Sequence, residues 1–476
     1  MGNLWSAVID YCPEGVIRTV SNSYIRHREK RKKDAIDIEE SHLIDSLHSP
    51  KRRKLTCTAH YIFQALYVEG KDSDITVNIL DKDWKLHKIY LGQSQYFNSM
   101  FSGSWNESKK SYISIKVEDP NITEEALAAV FGSFYQDEII VEPRVVVGVL
   151  AASTMFQLEG LIEQCYEIML ETISPITVVQ YYHASCRYGA QKVKSKVIDW
   201  FSVNLTDYYY KNPARLKEID VELMNVILSN PDLCVIQTEM TLYSLLRRWM
   251  YNRLNVDMDT SDCSKEPEPF FCNGEGDVPF LMSETGREFE PIFRRLRLGH
   301  LLLHVKDLLN ISKDKIIPEA WMLEAYKTQW VNLLRVLSGS DKGPTSVDEE
   351  FFNMNSIRCG REIHSGDNRS WRWNWFSFGV DLVWSIVDNS ILVRRQRTYL
   401  DYTLVDNSHN ILVRLDLLTF DEQRQVKKLM KTDIINLSLT RSQETKLLSF
   451  DSEFEYPLFI FVKILLTSPA KTVASS

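Results

Sequence analysis

Two histidines have the spacing in this sequence that comes nearest to a reactive or metal-binding site. His300 and His304 stand four residues apart and could share a metal ion from one face of a helix. The zinc-peptidase pattern also requires a glutamate after the first histidine, and Leu301 occupies that place here. The sequence also lacks a phosphate-binding glycine loop and a nucleophile elbow. We therefore predict no bound metal, no cofactor and no enzymatic function.

Composition and charge narrow the classes of protein that fit this chain. Its 476 residues suggest about two to four domains, and 44% apolar with 25% charged residues is ordinary for a soluble globular protein. The net charge of −8 disfavours direct binding to nucleic acid. Eight scattered cysteines, with no Cys-x-x-Cys pair and no signal peptide before them, indicate reduced intracellular thiols. The apolar runs are too short to span a bilayer, so we expect no transmembrane segment.

Residues 1–55 carry signals for modification and targeting but little core pattern, which predicts a disordered basic tail. Gly2, with Ser6 four positions later, fits the M-G-x-x-x-[ST] pattern for N-myristoylation. One acyl chain binds membranes weakly, but nearby basic residues would add attraction to anionic lipid at the nuclear envelope or the plasma membrane. The same residues suit a nuclear localisation signal, and a solvated charged tail is the alternative. The basic run consists of Lys51, Arg52, Arg53 and Lys54.

An apolar stripe at helical spacing lies within residues 58–68, just before the first strand signal. Leaving such a stripe exposed on a monomer would be costly, so we predict that it forms an isologous homodimer interface. Packing of the stripe within its own domain is the alternative. The stripe consists of Tyr61, Ile62, Ala65 and Leu66.

The next segment shows a strand, a hairpin and a helix in that order. Residues 75–80 alternate as a half-buried strand, Asp81-Lys82-Asp83 supplies turn residues, and a second short strand surrounds Trp84. A helix follows His87 and ends before Gly103. This order resembles the BTB (POZ) domain, an α+β protein-binding module, which we place at residues 56–170. The resemblance rests on Asp74, Leu86-His87-Lys88, Leu91 and Ser94-x-Tyr96-Phe97-x-x-Met100-Phe101.

Helical spacing continues from residue 171 to residue 337. The run from Leu233 to Trp249 resembles the central signature of a BACK domain, the all-α partner that follows BTB in many adaptors. Residues 252–288 are rich in Asp, Ser, Glu, Pro and Gly, which predicts a surface insertion. Residues 338–350 are expected to form a linker.

The pattern changes to period two after the linker, and this change predicts a mainly β, sandwich-like domain over residues 351–470. Asp388-Asn389 is expected to form a hairpin turn. Trp371, Trp373 and Trp375 share one face of a strand. Such a stripe fills a sandwich core or, as the alternative, forms a substrate-binding surface.

A short loop element bears on the partner of the BTB domain. In BTB proteins that recruit cullin-3, the loop after the Met100-Phe101 helix end carries a hydrophobic-x-Glu element. The resemblance therefore implies that Trp105 fills a groove on the cullin while Glu107 satisfies a polar neighbour at its edge. Helices near residues 175–201 would form the cleft for the N-terminal extension of the cullin. An ordinary polar loop is the alternative.

Over residues 50–470 the sequence resembles the germ cell-less and germ cell-less-like proteins. The resemblance implies a substrate adaptor of a cullin-3 ubiquitin ligase, associated with the nuclear envelope and acting in germ-cell formation or gametogenesis. Its C-terminal domain would recruit a protein substrate. The residues that carry the resemblance are Pro50-Lys51-Arg52-Arg53-Lys54-Leu55, Trp84-x-Leu86-His87-Lys88-Ile89-Tyr90-Leu91, Phe101-Ser102-Gly103-Ser104-Trp105-x-Glu107-Ser108, Phe293-Arg294-x-Leu296-Arg297-Leu298 and Arg358-Cys359-Gly360-Arg361.

One alternative function belongs to a different class. A nuclear-envelope or transcriptional corepressor scaffold would dimerise through BTB and bind nuclear-envelope or transcription-factor proteins without transferring ubiquitin. It would contact DNA only through a partner, because the sequence shows no zinc-finger spacing. A kelch-type propeller is unsupported, since no internal repeat of about 50 residues with paired glycines is present. Residues 364–369 depart from the family pattern, so the identity of a substrate is not carried over.

Overall fold

The structure is a computed structural model of the chain. It describes residues 58–102, 109–136, 139–255, 271, 278–302, 304–337, 343–365, 369–376, 380–396, 408–440, 443–451 and 454–468. The predicted tail, with Gly2 and the basic run at 51–54, lies outside these residues, as do Trp105 and Glu107.

The chain divides into two compact units, residues 1–62 and residues 63–476. In the first unit the described residues form one short helix, α1 (Thr58–Ile62). The second unit contains every other element named below. It begins with a π-helical turn at Phe63–Val68, so the single α-helix expected over residues 58–68 is wrong in its second half.

A small sheet begins the second unit. Its strands are ordered β2-β1-β3, with β2 antiparallel and β3 parallel to β1. Burial alternates along β1, because every second side chain faces the domain core. The strands are β1 (Ile75–Ile79), β2 (Lys82–Leu86) and β3 (Tyr112–Ser114).

The hairpin turn between β1 and β2 lies one residue earlier than its sequence suggests. Ile79 pairs with Lys82, so Leu80 and Asp81 form a two-residue turn with φ of 53° and 58°. Both central residues of this turn type need positive φ, a conformation that leucine rarely adopts. The aspartate-rich stretch after Leu80 therefore gave a misleading turn signal.

In the described part of this region, five helices follow or separate the strands of the sheet. The single helix expected after His87 is divided in two. The first helix ends before Gly92, and a second helix begins after Ser94. Ser94 Oγ accepts from the N–H of Phe97 at 3.3 Å and donates to the carbonyl of Phe156 at 2.6 Å. The side chain of Thr123 caps its helix by accepting from the N–H of Ala126. The helices are α2 (Lys88–Leu91), α3 (Gln95–Ser102), α4 (Glu124–Ser133), α5 (Val146–Met155) and α6 (Glu159–Glu171).

The middle of the chain is helical, as its spacing predicts. Gly189, with φ of 76°, ends the first of these helices in the left-handed conformation that glycine adopts without strain. The helices are α7 (Val178–Tyr188), α8 (Gln191–Asn204), α9 (Val221–Ser229), α10 (Glu239–Leu254), α11 (Glu290–Phe293), α12 (Leu298–Leu301), α13 (Val305–Asp314) and α14 (Glu319–Leu337). A π-helical turn at Leu205–Tyr209 and a 3₁₀ turn at Pro213–Glu218 follow α8.

Part of the predicted surface insertion at residues 252–288 packs into the core instead. Helix α10 continues to Leu254, and two 3₁₀ turns occupy Phe280–Met282 and Arg287–Phe289. Leu281 and Phe289 are buried. Polar composition therefore concealed one anchoring apolar side chain within this segment, Leu281, and a second, Phe289, directly follows it.

Beyond residue 348 the described residues form one helix and nine strands. Helix α15 (Glu349–Asn355) spans the predicted boundary between linker and domain at residue 350. One sheet has the order β10-β8-β12-β4 with β9 paired to β8, and the other has the order β11-β7-β6-β5. The strands are β4 (Ile357–Ile363), β5 (Arg369–Phe376), β6 (Val380–Val387), β7 (Ser390–Gln396), β8 (Ser408–Phe420), β9 (Val426–Lys431), β10 (Ile435–Thr440), β11 (Glu444–Ser449) and β12 (Leu458–Thr467).

The tryptophan stripe lies in the core between these two sheets. Trp371 and Trp373 are each 5% exposed, and Trp371 pairs across the ladder with the buried Trp384. Side chains packed between sheets present almost no surface, which favours the sandwich-core alternative for both residues. Trp371 alone of the two also borders a cavity, described below. The Trp375 side chain lies outside the described part of the chain.

Candidate functional site

A buried ion pair joins the helical region to the strand-rich domain. Glu239 is the first residue of α10, and Arg358 is the second residue of β4. The Arg358 guanidinium donates from Nη2 to Oε1 of Glu239 at 2.6 Å and from Nε to Oε2 at 3.2 Å. The glutamate is 1% exposed and the arginine 4%. Burial alone would raise the pKa of Glu239, but Arg358 and the hydrogen bonds hold it below its usual value.

A second arginine completes this cluster. The backbone N–H of Arg297 donates to Oε1 of Glu239 at 3.0 Å. Its guanidinium donates to the carbonyls of Ser356 and Asn353, which end α15. Burial, and then the positive charge of Arg358, lower the pKa of Arg297 to about 9. The helical region therefore contacts both α15 and β4 through fixed polar groups.

The two histidines with metal-like spacing have other surroundings. His304 precedes α13, and its Nδ1 accepts from the N–H of Lys306 at 3.0 Å as an N-terminal cap. Nδ1 of His300 is buried and has no hydrogen-bond partner in the described chain. Burial lowers the pKa of His300 to about 4. Within the described residues, no three histidine, cysteine or acidic side chains are grouped as metal ligands would be.

A glycine permits the close approach of the two regions. A Cβ on Gly360 of β4 would lie 2.5 Å from the carbonyl oxygen of Val235 and 2.6 Å from the ring of Phe461. The N–H of Gln237 donates to the carbonyl of Gly360 at 2.8 Å and forms an isolated β-bridge. The two motifs singled out in the sequence, at 233–249 and at 358–361, therefore meet in space.

A second contact joins the turn between β8 and β9 to α8. Arg424, at φ of 61°, directs its Nη2 to Oδ2 of the buried Asp207. Its Nε donates to Oδ1 of Asn204 at 3.0 Å, and Nδ2 of Asn204 donates back to the Arg424 carbonyl at 3.1 Å. Besides the hydrogen bonds that Asp421 makes within the turn, the turn is therefore hydrogen-bonded to the helical region.

Lys463 places a charge within the apolar run of β12, and its partners in the helical region explain why the charge is tolerated there. The side chain is buried, and its Nζ donates to the carbonyl of Pro231 at 2.7 Å and to Asp232 at 3.2 Å. A charged residue in a central strand is unusual unless it has a partner. This interruption was the one sequence signal that could have indicated the contact between the regions.

A cavity of about 330 Å³ lies beside these contacts. The π-helical turn after α8, residues 236–237, the end of β4 and the start of β5 form its walls. Two carboxylates and three cationic side chains line it, so with His364 neutral the lining carries one net positive charge. The charged lining residues are Asp207, Lys211, Arg361, Glu362 and Arg369.

The residues predicted to bind a cullin are only partly described. Met100 and Phe101 lie in the last turn of α3 and are half-buried. The Phe101 ring stacks on Phe97 with centroids 5.9 Å apart, so it contributes to the domain core. Because Trp105 and Glu107 lie outside the described residues, the cullin contact stays a prediction.

The predicted dimer stripe shows mixed exposure. Tyr61 is 56% exposed, whereas Ala65 is only 6% exposed. Ile62 and Leu66 have intermediate exposure. A residue as buried as Ala65 offers little surface to a partner, and the dimer interface stays a prediction for the other three.

Other sequence expectations concern membranes and thiols. Among the described helices, none has the length and apolar character that crossing a bilayer requires. The four cysteines within the described ranges, at 165, 186, 234 and 359, carry free thiols.

Comparison with known proteins identifies the BTB domain and a set of similar proteins. A family model described as the BTB/POZ domain matches residues 63–173. Protein germ cell-less of Drosophila melanogaster is 36% identical over 473 residues, covering 93% of this chain and 83% of that protein. Germ cell-less protein-like 1 of Homo sapiens is 36% identical over 434 residues, covering 89% of this chain and 84% of that protein.

One further comparison is with a protein similar over nearly the whole chain, and another is with a solved BTB domain. Germ cell-less protein-like 2 of Homo sapiens is 34% identical over 481 residues, covering 98% of this chain and 90% of that protein. The BTB domain of zebrafish PATZ1 covers 25% of this chain and 97% of its own at 17% identity, with a TM-score of 0.20 that supports no structural argument. The BTB assignment therefore rests on the family model, and the chain belongs to the germ cell-less family.

Proposed function

We propose that this protein is a non-enzymatic substrate adaptor of a cullin-3 ubiquitin ligase in germ-cell formation or gametogenesis. The BTB domain and the following helices would bind the cullin, and the strand-rich domain would recruit the protein substrate. The observation that best supports this proposal is the buried Glu239–Arg358 pair, which holds the third domain against the helical region. An adaptor needs such a connection, because the recruited substrate must stay near the ubiquitin-charged enzyme.

Contacts at the other end of the helical region support the same proposal. The hydroxyl of Tyr188, at the end of α7, donates to Oδ2 of Asp119 at 2.8 Å. The side-chain amide of Asn121 donates to the same hydroxyl at 2.8 Å, and Arg187 Nε lies 3.2 Å from Asp119. The loop before α4 is therefore fixed to the helical region. A continuous series of packed elements runs from the BTB domain to the sandwich.

The domain assignments belong to this proposal. We take residues 56–170 as the BTB domain, residues 171–337 as a BACK domain and residues 351–470 as the recognition domain. The cullin surface would combine the end of α3 with the loop that carries Trp105 and Glu107. Helices α7 and α8 would form the cleft for the N-terminal extension of the cullin.

Location and assembly complete the proposal. A homodimer formed through the stripe at 61–66 would present two substrates to two ligases. Myristate on Gly2, together with the basic run Lys51 to Lys54, would give an address at the nuclear envelope, or at the plasma membrane if the acyl chain acts without nuclear import.

Calorimetry with the N-terminal domain of cullin-3 tests the proposal. The native protein should bind well below micromolar, and Trp105→Ala with Glu107→Ala should lose more than about 2 kcal/mol, as loss of an interface hot spot does. Leu429→Ala removes an exposed apolar group, 56% accessible on β9, and should leave binding unchanged. If the native protein does not bind, the adaptor function is wrong, and the BTB corepressor or nuclear-envelope scaffold replaces it.

A further inference from the structure

The cavity beside the Glu239–Arg358 pair is bordered by the open edges of both sheets. Strand β4 is the last strand of its sheet, and β5 is the last strand of the other. An edge strand offers main-chain groups that can pair with another chain. Among the described residues, the edge of β4 is bridged at Gly360 by Gln237, and the buried Glu239–Arg358 pair covers its beginning.

The main chain of Glu362 faces this open edge. Gly360 directs its carbonyl away from β12, because that carbonyl accepts from Gln237. In an antiparallel ladder the direction of the N–H and C=O groups alternates, so Glu362, two residues further, points the same way. Within the described chain no hydrogen bond reaches the main-chain N–H or carbonyl of Glu362 from that side. One strand position at the cavity is therefore available for pairing.

The charges of the lining are not balanced within the cavity. Nζ of Lys211 lies 2.7 Å from a carboxylate oxygen of Asp207 and 2.7 Å from one of Glu362, so these three charges are paired. Arg361 and Arg369 form no ion pair with any described residue. Two guanidinium groups beside an open strand edge would attract an anionic group, and a carboxylate can accept two parallel hydrogen bonds from such a group.

The walls are suited to a side chain as well as to a backbone. Ile236 and Ile363 supply apolar surface, and the edge of the buried Trp371 forms part of the wall. A volume of about 330 Å³ is near the lower end of the range typical for ligand pockets, about 300–1,000 Å³. The cavity is therefore large enough for a short segment and too small for a folded domain.

We infer that this cavity binds an extended segment of a partner protein. The segment adds as a strand at Glu362 of β4 and places an acidic side chain between Arg361 and Arg369. Main-chain pairing supplies sequence-independent affinity, and the two arginines supply the preference for acid. The inference deepens the proposed function, because the partner would then be the recruited substrate.

A display library of randomised heptapeptides, selected on the full-length protein, is the probe for this inference. We expect enriched sequences to share one Asp or Glu flanked by β-branched residues. Methylation of alternate backbone nitrogens in the best peptide should abolish binding at one set of positions and spare the other, because only one edge of an added strand pairs with β4. Enrichment of helical or basic sequences, or no enrichment at all, would overturn the inference.

Substitution then locates the site. Arg361→Gln with Arg369→Gln should weaken binding of the selected peptide at least 10-fold, measured by fluorescence anisotropy. Arg287→Gln removes an exposed guanidinium that lies away from the cavity, and it should change the affinity less than 2-fold. Equal binding by the double variant and the native protein excludes this cavity. If the double variant is unfolded by circular dichroism, Arg369→Gln alone, at an exposed position, decides with an expected loss of at least 3-fold.

The same double variant separates this inference from the proposed function. Its affinity for the cullin-3 N-terminal domain should equal that of the native protein, because Arg361 and Arg369 lie on β4 and β5, whereas the proposed cullin surface is formed by α3, the loop after it, α7 and α8. Loss of peptide binding with intact cullin binding supports both statements. Absence of cullin binding by the native protein, with acidic peptides still enriched, would remove the ligase role and keep the peptide site.

Discussion

Arg358 and Glu239 lie 119 residues apart in sequence and form a two-point ion pair that is almost fully enclosed. Each oxygen of the carboxylate receives one N–H of the guanidinium, at 2.6 and 3.2 Å. Two such contacts fix the relative orientation of the groups as well as their distance. The strand that begins the third domain is thereby tied to the first residue of α10.

Removal of one partner of this pair should destabilise the protein strongly. We expect Glu239→Gln or Arg358→Ala to lower the free energy of unfolding by about 3–5 kcal/mol, because each leaves an uncompensated buried charge. Arg394→Ala, which breaks an exposed pair with Glu444, should cost less than about 1 kcal/mol. Urea denaturation followed by fluorescence measures both. A cost below 1 kcal/mol at Arg358 would show that the buried pair is not a structural contact.

Stability should also fall in mildly acidic solution. Burial lowers the pKa of His300 from 6.5 to about 4. Between pH 6.5 and 4 the unfolded chain therefore binds a proton at this residue, and the folded chain does not. The contribution of neutral His300 to the free energy of unfolding is complete above pH 6.5 and is lost as the pH falls toward 4. Because His300 as a residue is only partly buried, solvent screening limits the loss to about 2 kcal/mol, at about 1.4 kcal/mol per pKa unit. Glu239, whose pKa is lowered, adds a further loss below pH 4.5.

Urea denaturation at a series of pH values measures this dependence. In His300→Asn the slope between pH 6.5 and 4 should become shallower, whereas substitution of the exposed His364 should leave it unchanged. An unchanged slope in the His300 variant would assign the acid sensitivity to other groups.

A single methyl group at residue 360 should disturb the contact between the regions. In Gly360→Ala the new Cβ would meet the Val235 carbonyl at 2.5 Å, and a main-chain atom cannot rotate away. We expect a loss of about 1–3 kcal/mol, typical of overpacking, with faster hydrogen exchange at the Gln237 N–H. Gly160→Ala, in α6 with no atom within 4 Å of its Cβ, should be neutral or stabilising. Equal stabilities of the two variants would contradict the close approach.

Burial of the tryptophan stripe in the core can be tested by measuring the stability of single variants. Trp373→Ala should cost about 3–5 kcal/mol, as truncation of a buried aromatic does. Trp330→Ala, in α14 and 62% exposed, should change the stability by less than about 0.5 kcal/mol. A stable Trp373 variant that loses binding of the selected acidic peptide would return this residue to the recognition surface.

Acylation at the N-terminus is a prediction from the sequence alone. When the protein is coexpressed with an N-myristoyltransferase, intact mass should show one added myristoyl group, and vesicles with anionic lipid should sediment the protein. Gly2→Ala should abolish both, while Ser6→Thr, which keeps the motif, should preserve them. An unmodified native protein would leave the basic tail as the sole targeting signal.

Local features of the fold could be predicted from the sequence. Asp388 and Asn389 form the expected two-residue turn at φ of 46° and 53°, because these residue types tolerate positive φ. The alternation around Trp371 and Trp373 likewise indicated a sandwich core. At Leu80 the same kind of turn was misplaced, since the register of β1 and β2 overrides the preference of leucine.

The polar contacts between regions could not be predicted in the same way. Glu239 and Arg358 each lie in a motif noted in the sequence, but neither motif indicates the other as its partner, and only the tertiary fold brings them together. The arginines of the cavity, Arg361 and Arg369, belong to strands of different sheets, so no spacing along the chain relates them. Lys463 was an exception, because a charge inside an apolar strand requires a partner wherever the strand lies.

The close approach at Gly360 has a consequence for how relatives of this protein can diverge. An apolar interface tolerates piecemeal change, since one hydrocarbon can replace another with modest repacking. Here a side chain at residue 360 requires displacement of the main chain at residue 235, and a neutral residue at position 239 leaves the buried charge of Arg358 without a partner. Substitutions on the two sides of the junction should therefore appear as correlated pairs, and swapping the third domain between relatives should succeed only when residues 233–239 are transferred with it.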